Sequence, residues 1–329
     1  MRSIINYLKY FFGKANDQTS YLQMRHDYIY SRRKAIDIVC RINSFLNPKY
    51  NIKRSSGILG DLDGLEVINI SDRIKRDGFY IFQKCAPLQV VEELRSFAQR
   101  TPLNYLTLHV DGTVAYSKDI IAYQDAKELS NRYQFLNISI FNNKSILQLI
   151  TDANFLHIAN QYLSAKPILD IVTMWWSTGL SNIVPEKREI LKNASAQMFH
   201  FDMDRLKFLK FFIYLTDVNT NTGPHVFVKA SHNRVPSYVK RDGRYSDELV
   251  NQYDKDNIVE INGKAGTIIA VDTRGLHKGK ELVEGDRLIF QVEFTNSLFG
   301  NPSMPQVLEK FKYTGEDRYF SAYKWFFKK

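Results

Sequence analysis

Short apolar runs dominate the second half of the chain. From Ile168 onward ILDIVTMWW, SAQMFHFDMD, FLKFFIYLTDV, HVFVKASH, GTIIAVD and RLIFQVEFTNS follow one another, separated by turn-forming stretches. Runs of this length between turn residues predict strands. The front half has a different period. Ile4, Ile5, Leu8, Phe11 and Phe12 recur at helical spacing, and residues 18–46 continue as a basic helical stretch. Asp77-Gly78 turns into a short buried strand, DGFYIFQ. Pro87 then opens a helix with Leu88, Val91, Leu94 and Phe97 on one face, and a further helical region spans 145–163. No strand–helix–strand rhythm and no glycine-rich phosphate loop is present, which disfavours a dinucleotide-binding fold. The pattern predicts a mainly β protein with flanking helices, its core a double-stranded β-helix, or jelly roll, behind an α-helical N-terminal extension. The expected divisions are 1–60 (extension, with 48–60 as linker), 61–300 (jelly roll with supporting helices) and 301–329 (aromatic, basic tail).

Charge sharpens this division. Residues 1–55 hold eleven Lys/Arg against three Asp/Glu, whereas the remaining 274 hold 34 against 32. A nearly neutral body argues against nucleic-acid binding over the whole surface. Arg32, Arg33 and Lys34 read as a solvated face. The first helix is expected to pack on the body, with weak membrane-surface contact as the other use of its apolar residues. Asn6 and Lys9 interrupt it too early for a secretory signal. No run reaches the ~18 apolar residues of a membrane span, and the expected location is the cytoplasm, peripheral to the membrane if the first helix binds there. Two cysteines, Cys40 and Cys85, are too few for a disulfide scaffold.

The informative segment is Gln197-Met198-Phe199-His200-Phe201-Asp202-Met203-Asp204. On a strand, Met198, His200, Asp202 and Asp204 share a face. An imidazole and a carboxylate two residues apart can grip one divalent metal from adjacent corners. A third ligand should come from a facing strand, and His277 in DTRGLHKG is the best candidate. Two histidines and one carboxylate on one face of an octahedron form the open site of non-haem iron oxygenases. Ten residues on, Arg287 opens RLIFQVEF. A guanidinium deep in an apolar barrel needs an anionic partner, and a dicarboxylate cosubstrate supplies one.

Taken in order, AQMFHFDMD, the segment 208–232, GTIIAVDTRGLHKG and RLIFQ, with DGFYIFQ ahead of them, resemble the phytanoyl-CoA dioxygenase-like family of Fe(II)/2-oxoglutarate oxygenases. The resemblance spans roughly residues 70–300. It implies that His200, Asp202 and His277 hold Fe(II), that Arg287 binds the distal carboxylate of 2-oxoglutarate, and that Phe212 stands in the cosubstrate pocket. It also implies O2 as second cosubstrate and hydroxylation of an unactivated C–H bond. KASH (229–232) departs from the commoner P-G-S-H of the family. The alternatives on this fold are a cupin-like metal enzyme without a keto acid and a non-catalytic binding protein.

The remaining candidates read as structure. His225 and His232 are expected to serve packing or backbone bonding, Gln197 to face away from the metal, and Met198 to fill core space. Asp204 lies too far along the strand to join the chelate and is expected beside it or facing substrate. One of Trp175 and Trp176 is able to line the pocket, with core packing the default for both. The substrate is expected to be a small molecule whose walls come from loops 178–196 and 233–257. Arg234, Lys240, Arg241 and Arg244 in the second loop suit an anionic one, against a default of solvated charge.

Overall fold

In a computed structural model, residues 2–13, 16–109, 113–126, 129–181, 184–303, 313 and 315–327 are described. Three helices lead: α1 (Arg2–Phe11), α2 (Gln18–Tyr30) and α3 (Lys34–Leu46). A hairpin follows, β1 (Arg54–Gly57) and β2 (Gly60–Asp63), then α4 (Gly64–Asp77), β3 (Phe79–Ile81) and α5 (Leu88–Arg100). Next come β4 (Leu103–Leu108), β5 (Val114–Tyr116), α6 (Tyr123–Ala126) and β6 (Arg132–Phe135). Helices α7 (Asn137–Ile140), α8 (Lys144–Ile150) and α9 (Ala153–Leu163) lead to β7 (Ile168–Thr178) and α10 (Pro185–Ala194). The last part holds β8 (Phe208–Tyr214), β9 (His225–Val228), α11 (Asp247–Asp254), β10 (Ile258–Ile261), β11 (Ile268–Val271), β12 (His277–Gly279), β13 (Asp286–Thr295) and α12 (Phe320–Tyr323). No described helix is long and apolar enough to cross a membrane.

The strands form a jelly roll. The large sheet runs β3-β11-β8-β13-β7-β6-β4-β5 and faces a small sheet, β10-β9-β12, with antiparallel pairing throughout. Alternation sorts its side chains. On β8, Leu209, Phe211 and Ile213 enter the main core beneath α9, where Phe155 stacks on Phe211 at 4.4 Å. Lys210, Phe212 and Tyr214 take the opposite face and line a cavity between the sheets. Strands β7 and β13 divide in the same way, with Met174, Trp176, Leu288 and Phe290 in the core and Thr173, Trp175, Arg287 and Ile289 on the cavity. Each fully buried Leu, Ile or Phe contributes about 1.5–3 kcal/mol.

Three expectations about the ends of the chain change. The stretch 18–46 is two helices, because Arg32 and Arg33 turn through positive φ of 51° and 77°. Those arginines are not a solvated face. Arg32 Nη1 donates to the carbonyls of Pro236 (2.9 Å) and Val239 (2.7 Å), and Arg33 Nη1 to that of His232 (2.6 Å). The stretch 48–60, expected as a linker, contains most of a hairpin clasped by α9: Asp152 and Asn154 accept from the backbone of Ile58 and Leu59. The first helix packs as expected, but through Ser3 and Tyr7 rather than its most apolar residues. Ser3 bonds Asp27 and Tyr7 bonds Asn43, both at 2.7 Å, while Ile5 and Phe12 are exposed.

Tyr7, Met24, Tyr28, Ile36 and Val39 share a core with Phe199, Phe201, Met203 and Phe299. Removing residues 1–46 would strip cover from the segment bearing His200. We expect the truncated chain to lose a cooperative thermal transition by circular dichroism; an unchanged transition would contradict this packing. At the other end Tyr319, Tyr323, Phe326 and Phe327 lie buried in the main core.

Candidate active site

The segment 197–204 does not run as a regular strand. It touches its neighbours through single pairings, Phe199 with Tyr245 and His200 with His277. The second pairing builds the site. His200 N donates to His277 O (2.9 Å) and His277 N to His200 O (3.0 Å), so the two rings stand 4.3 Å apart. Asp202 is fixed by its own N–H, which donates to Thr273 O at 2.9 Å.

Each imidazole is oriented by its other nitrogen. His200 Nδ1 lies 2.8 Å from Met198 O, and His277 Nδ1 lies 2.9 Å from Gly275 O. Nδ1–H therefore donates to backbone and the Nε2 lone pair is left for a ligand-binding role. The two Nε2 atoms face Asp202, 3.5 Å from Oδ1 and Oδ2 respectively. One ligand atom from each of the three lies within 4.8 Å of the others, a set able to hold one metal ion.

The loop before His277 is rigid for identifiable reasons. Arg274 grips Asp272 with Nη2 (2.6 Å) and Nε (3.0 Å) and donates Nη1 to Leu206 O (3.1 Å). The same guanidinium holds the buried Asp272 carboxyl well below its ordinary range against the cost of burial. Tyr162 bonds Asp272, and Tyr28 of α2 donates to Arg274 O at 2.7 Å. A Cβ at Gly275 would meet the Phe227 ring at 2.3 Å, so this position must be glycine. KASH has a local cost. Ala230 sits at φ 63°, a left-handed conformation that glycine adopts freely. Ala230→Gly should raise unfolding free energy by up to about 1 kcal/mol in urea titration; a loss of similar size would contradict the strain.

The cavity between the sheets has a volume of about 310 Å³. Arg287 is buried in it. Its Nη2 reaches Ser177 Oγ at 3.3 Å, while Nε and Nη1 have no partner among the described residues. Burial without a counter-ion pushes its pKa down to about 10, still cationic at neutral pH. A buried guanidinium with no counter-ion among the described residues is costly and calls for an anion. Phe212 and Trp175 line the same cavity, and Trp176 packs in the core against Tyr123. Met198 lies outside it, because the irregular backbone breaks the expected alternation. Gln197 is buried on the far side and accepts from Asn131 at 3.3 Å.

Two cavity residues, Lys210 and His225, and a buried acid beside the first, Glu293, escaped the sequence reading. Lys210 Nζ donates to Asp202 Oδ2 at 2.6 Å and lies 3.5 Å from Glu293 Oε2. Lys210 thus pairs with Asp202 first, and its ammonium is held charged above its ordinary pKa by the two acids. Glu293 is left weakly paired, and burial pushes it up to about 8. A lysine inside FLKFFIYL was the available signal. His225, expected to be structural, lines the cavity with its ring 5.4 Å from that of His277 and its Nε2 without a partner among the described residues. His232 is structural as expected, its Nε2 3.0 Å from Lys75 O.

These shifts set a pH profile for the metal-free chain. Burial depresses His200 and His232 from 6.5 to about 4, and His225 further. Their stabilising contribution is full above pH 6.5 and lost as pH falls through the folded values. Glu293 acts the other way: its contribution is full below its ordinary 4.5 and lost as pH rises through about 8. Three imidazoles outweigh one carboxyl in the overlap. Thermal stability should therefore peak near about pH 6.5 and fall on both sides; a monotonic rise to pH 8 would contradict Glu293's protonated state.

The family model described as phytanoyl-CoA dioxygenase (PhyH) matches residues 74–285. The chain belongs to this family. For this phytanoyl-CoA dioxygenase family member the match includes all three clustered residues, stops two short of Arg287, and leaves the N-terminal helices outside. Among solved structures, AviO1 from Streptomyces viridochromogenes Tue57 is 14% identical, with 74% of this chain and 99% of that one covered and a TM-score of 0.42. HygX from Streptomyces hygroscopicus, solved with nickel and 2-oxoglutarate, is 13% identical over 69% and 86%, with a TM-score of 0.46. The non-haem alpha-ketoglutarate-dependent epimerase SnoN from nogalamycin biosynthesis is 14% identical over 71% and 84%, with a TM-score of 0.49. No curated protein matches the chain.

Proposed function

We propose that this protein is an Fe(II)- and 2-oxoglutarate-dependent oxygenase that hydroxylates an unactivated C–H bond of a small molecule. The observation that carries the reading is the meeting, in one cavity, of the His200–Asp202–His277 cluster with a buried Arg287 whose Nε and Nη1 find no acceptor among the described residues. The donor set suits iron: two imidazoles whose Nδ1–H groups are committed to backbone carbonyls, and one carboxylate that burial alone would protonate but the Lys210 ammonium, ahead of the two imidazoles, holds ionised well below its usual range. Bound there, ferrous iron would supply O2 activation coupled to oxidative decarboxylation of the keto acid.

The chain's own residues have separable tasks. His200, Asp202 and His277 would hold the metal. Lys210 holds Asp202 in place through its ammonium. Arg287 would bind the distal carboxylate of 2-oxoglutarate as the buried cation facing it, its guanidinium having N–H donors to spare beyond the one contact with Ser177. Phe212, Trp175 and Ile289 wall the space between and keep bulk water from it.

The test is turnover of the full chain with Fe(II), 2-oxoglutarate and 18O2 against fractionated cell extract, read by mass spectrometry. The reading expects succinate together with a product heavier by one labelled oxygen. Succinate with a product of unoxygenated mass would replace hydroxylation by another oxidation, and no succinate in any fraction would overturn keto-acid dependence.

A further inference from the structure

His200 and Asp202 stand between two spaces. On one side lies the cavity of Arg287. On the other a second cavity of about 680 Å³ opens, walled by Arg25 of α2, Asn193 of α10 and residues 241–244. The same two side chains line both, so a molecule in the second cavity abuts the metal cluster without occupying the Arg287 pocket.

The charges in this outer cavity are not equivalent. All three nitrogens of Arg25 are engaged: Nε and Nη2 reach the two oxygens of Asp242 at 2.5 and 2.8 Å, and Nη1 donates to Tyr21 Oη at 2.9 Å. Tyr21 in turn donates to Asp204 Oδ1 at 2.9 Å. Arg244 is different. It is half-buried, and its Nε donates to Asn193 Oδ1 at 3.0 Å. Among the described residues neither of its Nη nitrogens has an acceptor. A guanidinium steadied at Nε, with its outer nitrogens free beside a metal cluster, is preorganised for an anion.

The loop that carries Arg244 is fastened from outside by the N-terminal helices. Arg25 holds Asp242, two residues before Arg244, and Arg32 holds the carbonyls of Pro236 and Val239. Asp204, on the same cavity, repels a second negative group and confines the anion to the Arg244 side.

We propose that Arg244 anchors a carboxylate or phosphate group of the primary substrate in this outer cavity, on a loop that α2 and Arg32 hold in place. The proposal rests on the oxygenase reading and names the substrate class it leaves open: a small anionic molecule, its charged end on Arg244 and its reacting carbon toward the cluster.

The test does not require the substrate's identity. A small-molecule extract of the producing cells is split on anion-exchange resin at neutral pH. Each part is added to the full chain with Fe(II) and 2-oxoglutarate, and succinate release is followed. The retained part should stimulate release and the flow-through should not. Phosphatase treatment of the retained part then separates phosphate, which loses stimulation, from carboxylate, which keeps it. Arg244→Gln should raise the apparent KM for the retained part about tenfold or more with kcat little changed, as expected for one charge-assisted contact. Arg244→Lys should recover part of that loss, which a folding defect would not. Stimulation by the flow-through alone, or an unaltered KM in Arg244→Gln, overturns the anchor. The charge-transfer absorption of the anaerobic Fe(II)–2-oxoglutarate complex is recorded in parallel. If it forms while the anchor test fails, only the anchor is wrong; if it does not form, the oxygenase reading fails and the anchor with it.

Discussion

Replacing His277 by alanine is expected to lower 2-oxoglutarate turnover by at least about a thousandfold. Loss of a partner behind a metal ligand costs 10–100-fold, and loss of one ligand of three should exceed that. The other two would remain as a His200–Asp202 pair, which retains the carboxylate but loses the facing imidazole. The change should leave the fold intact, because the backbone bonds between His200 and His277 do not involve the side chain. Succinate release and bound iron by elemental analysis check it together. Near-normal activity with one iron per chain would remove His277 from the ligand set. His225→Ala provides the contrast: this ring lies beside His277 but outside the cluster, and its removal should spare iron binding.

Arg287→Gln is expected to split two properties that usually fall together. The apparent KM for 2-oxoglutarate should rise about 100-fold, the upper end for a lost hydrogen-bonded charge contact. The stability of the cosubstrate-free protein should rise, by about 1–3 kcal/mol, because a buried cation whose only partner among the described residues is Ser177 is removed. Steady-state kinetics and denaturant titration measure the two. A rise in KM alone would mean that Arg287 has a counter-ion in the free protein. An unchanged KM would support the cupin-like alternative in which no keto acid binds, and the guanidinium would then need another anion.

The part of the site legible in the sequence is the part that backbone periodicity and residue chemistry carry together. His200, Asp202 and His277 are unusual in apolar surroundings, and Arg287 opens a strand whose alternation points it inward. Lys210 and Glu293 carried the same signal, a charge within FLKFFIYL and QVEF, but a single charge in a strand has no partner until the strands are paired. Only the register of β8 with β13, which sets Lys210 opposite Glu293, brings them together. Met198 was misplaced because the alternation rule assumes a regular strand, and 197–204 is held by isolated pairings instead.

The N-terminal helices were harder still. Their basic residues look like a solvent-facing run, yet Arg25, Arg32 and Arg33 are occupied by acceptors some 200 residues away in sequence. Nothing local distinguishes a guanidinium bound to a distant carbonyl from one in water. The jelly roll itself was readable from the succession of short apolar runs. The hairpin at 54–63 was not, because its residues are polar and turn-forming and it is fixed by Asp152 and Asn154 at the start of α9.

The most direct measurement is anomalous diffraction at the iron edge from crystals grown anaerobically with Fe(II) and 2-oxoglutarate. The account predicts one strong peak within about 2.0–2.3 Å of His200 Nε2, an Asp202 carboxylate oxygen and His277 Nε2, with the far carboxylate of the keto acid on Arg287. A fully loaded crystal with iron elsewhere, or with those three side chains turned away from it, would contradict it.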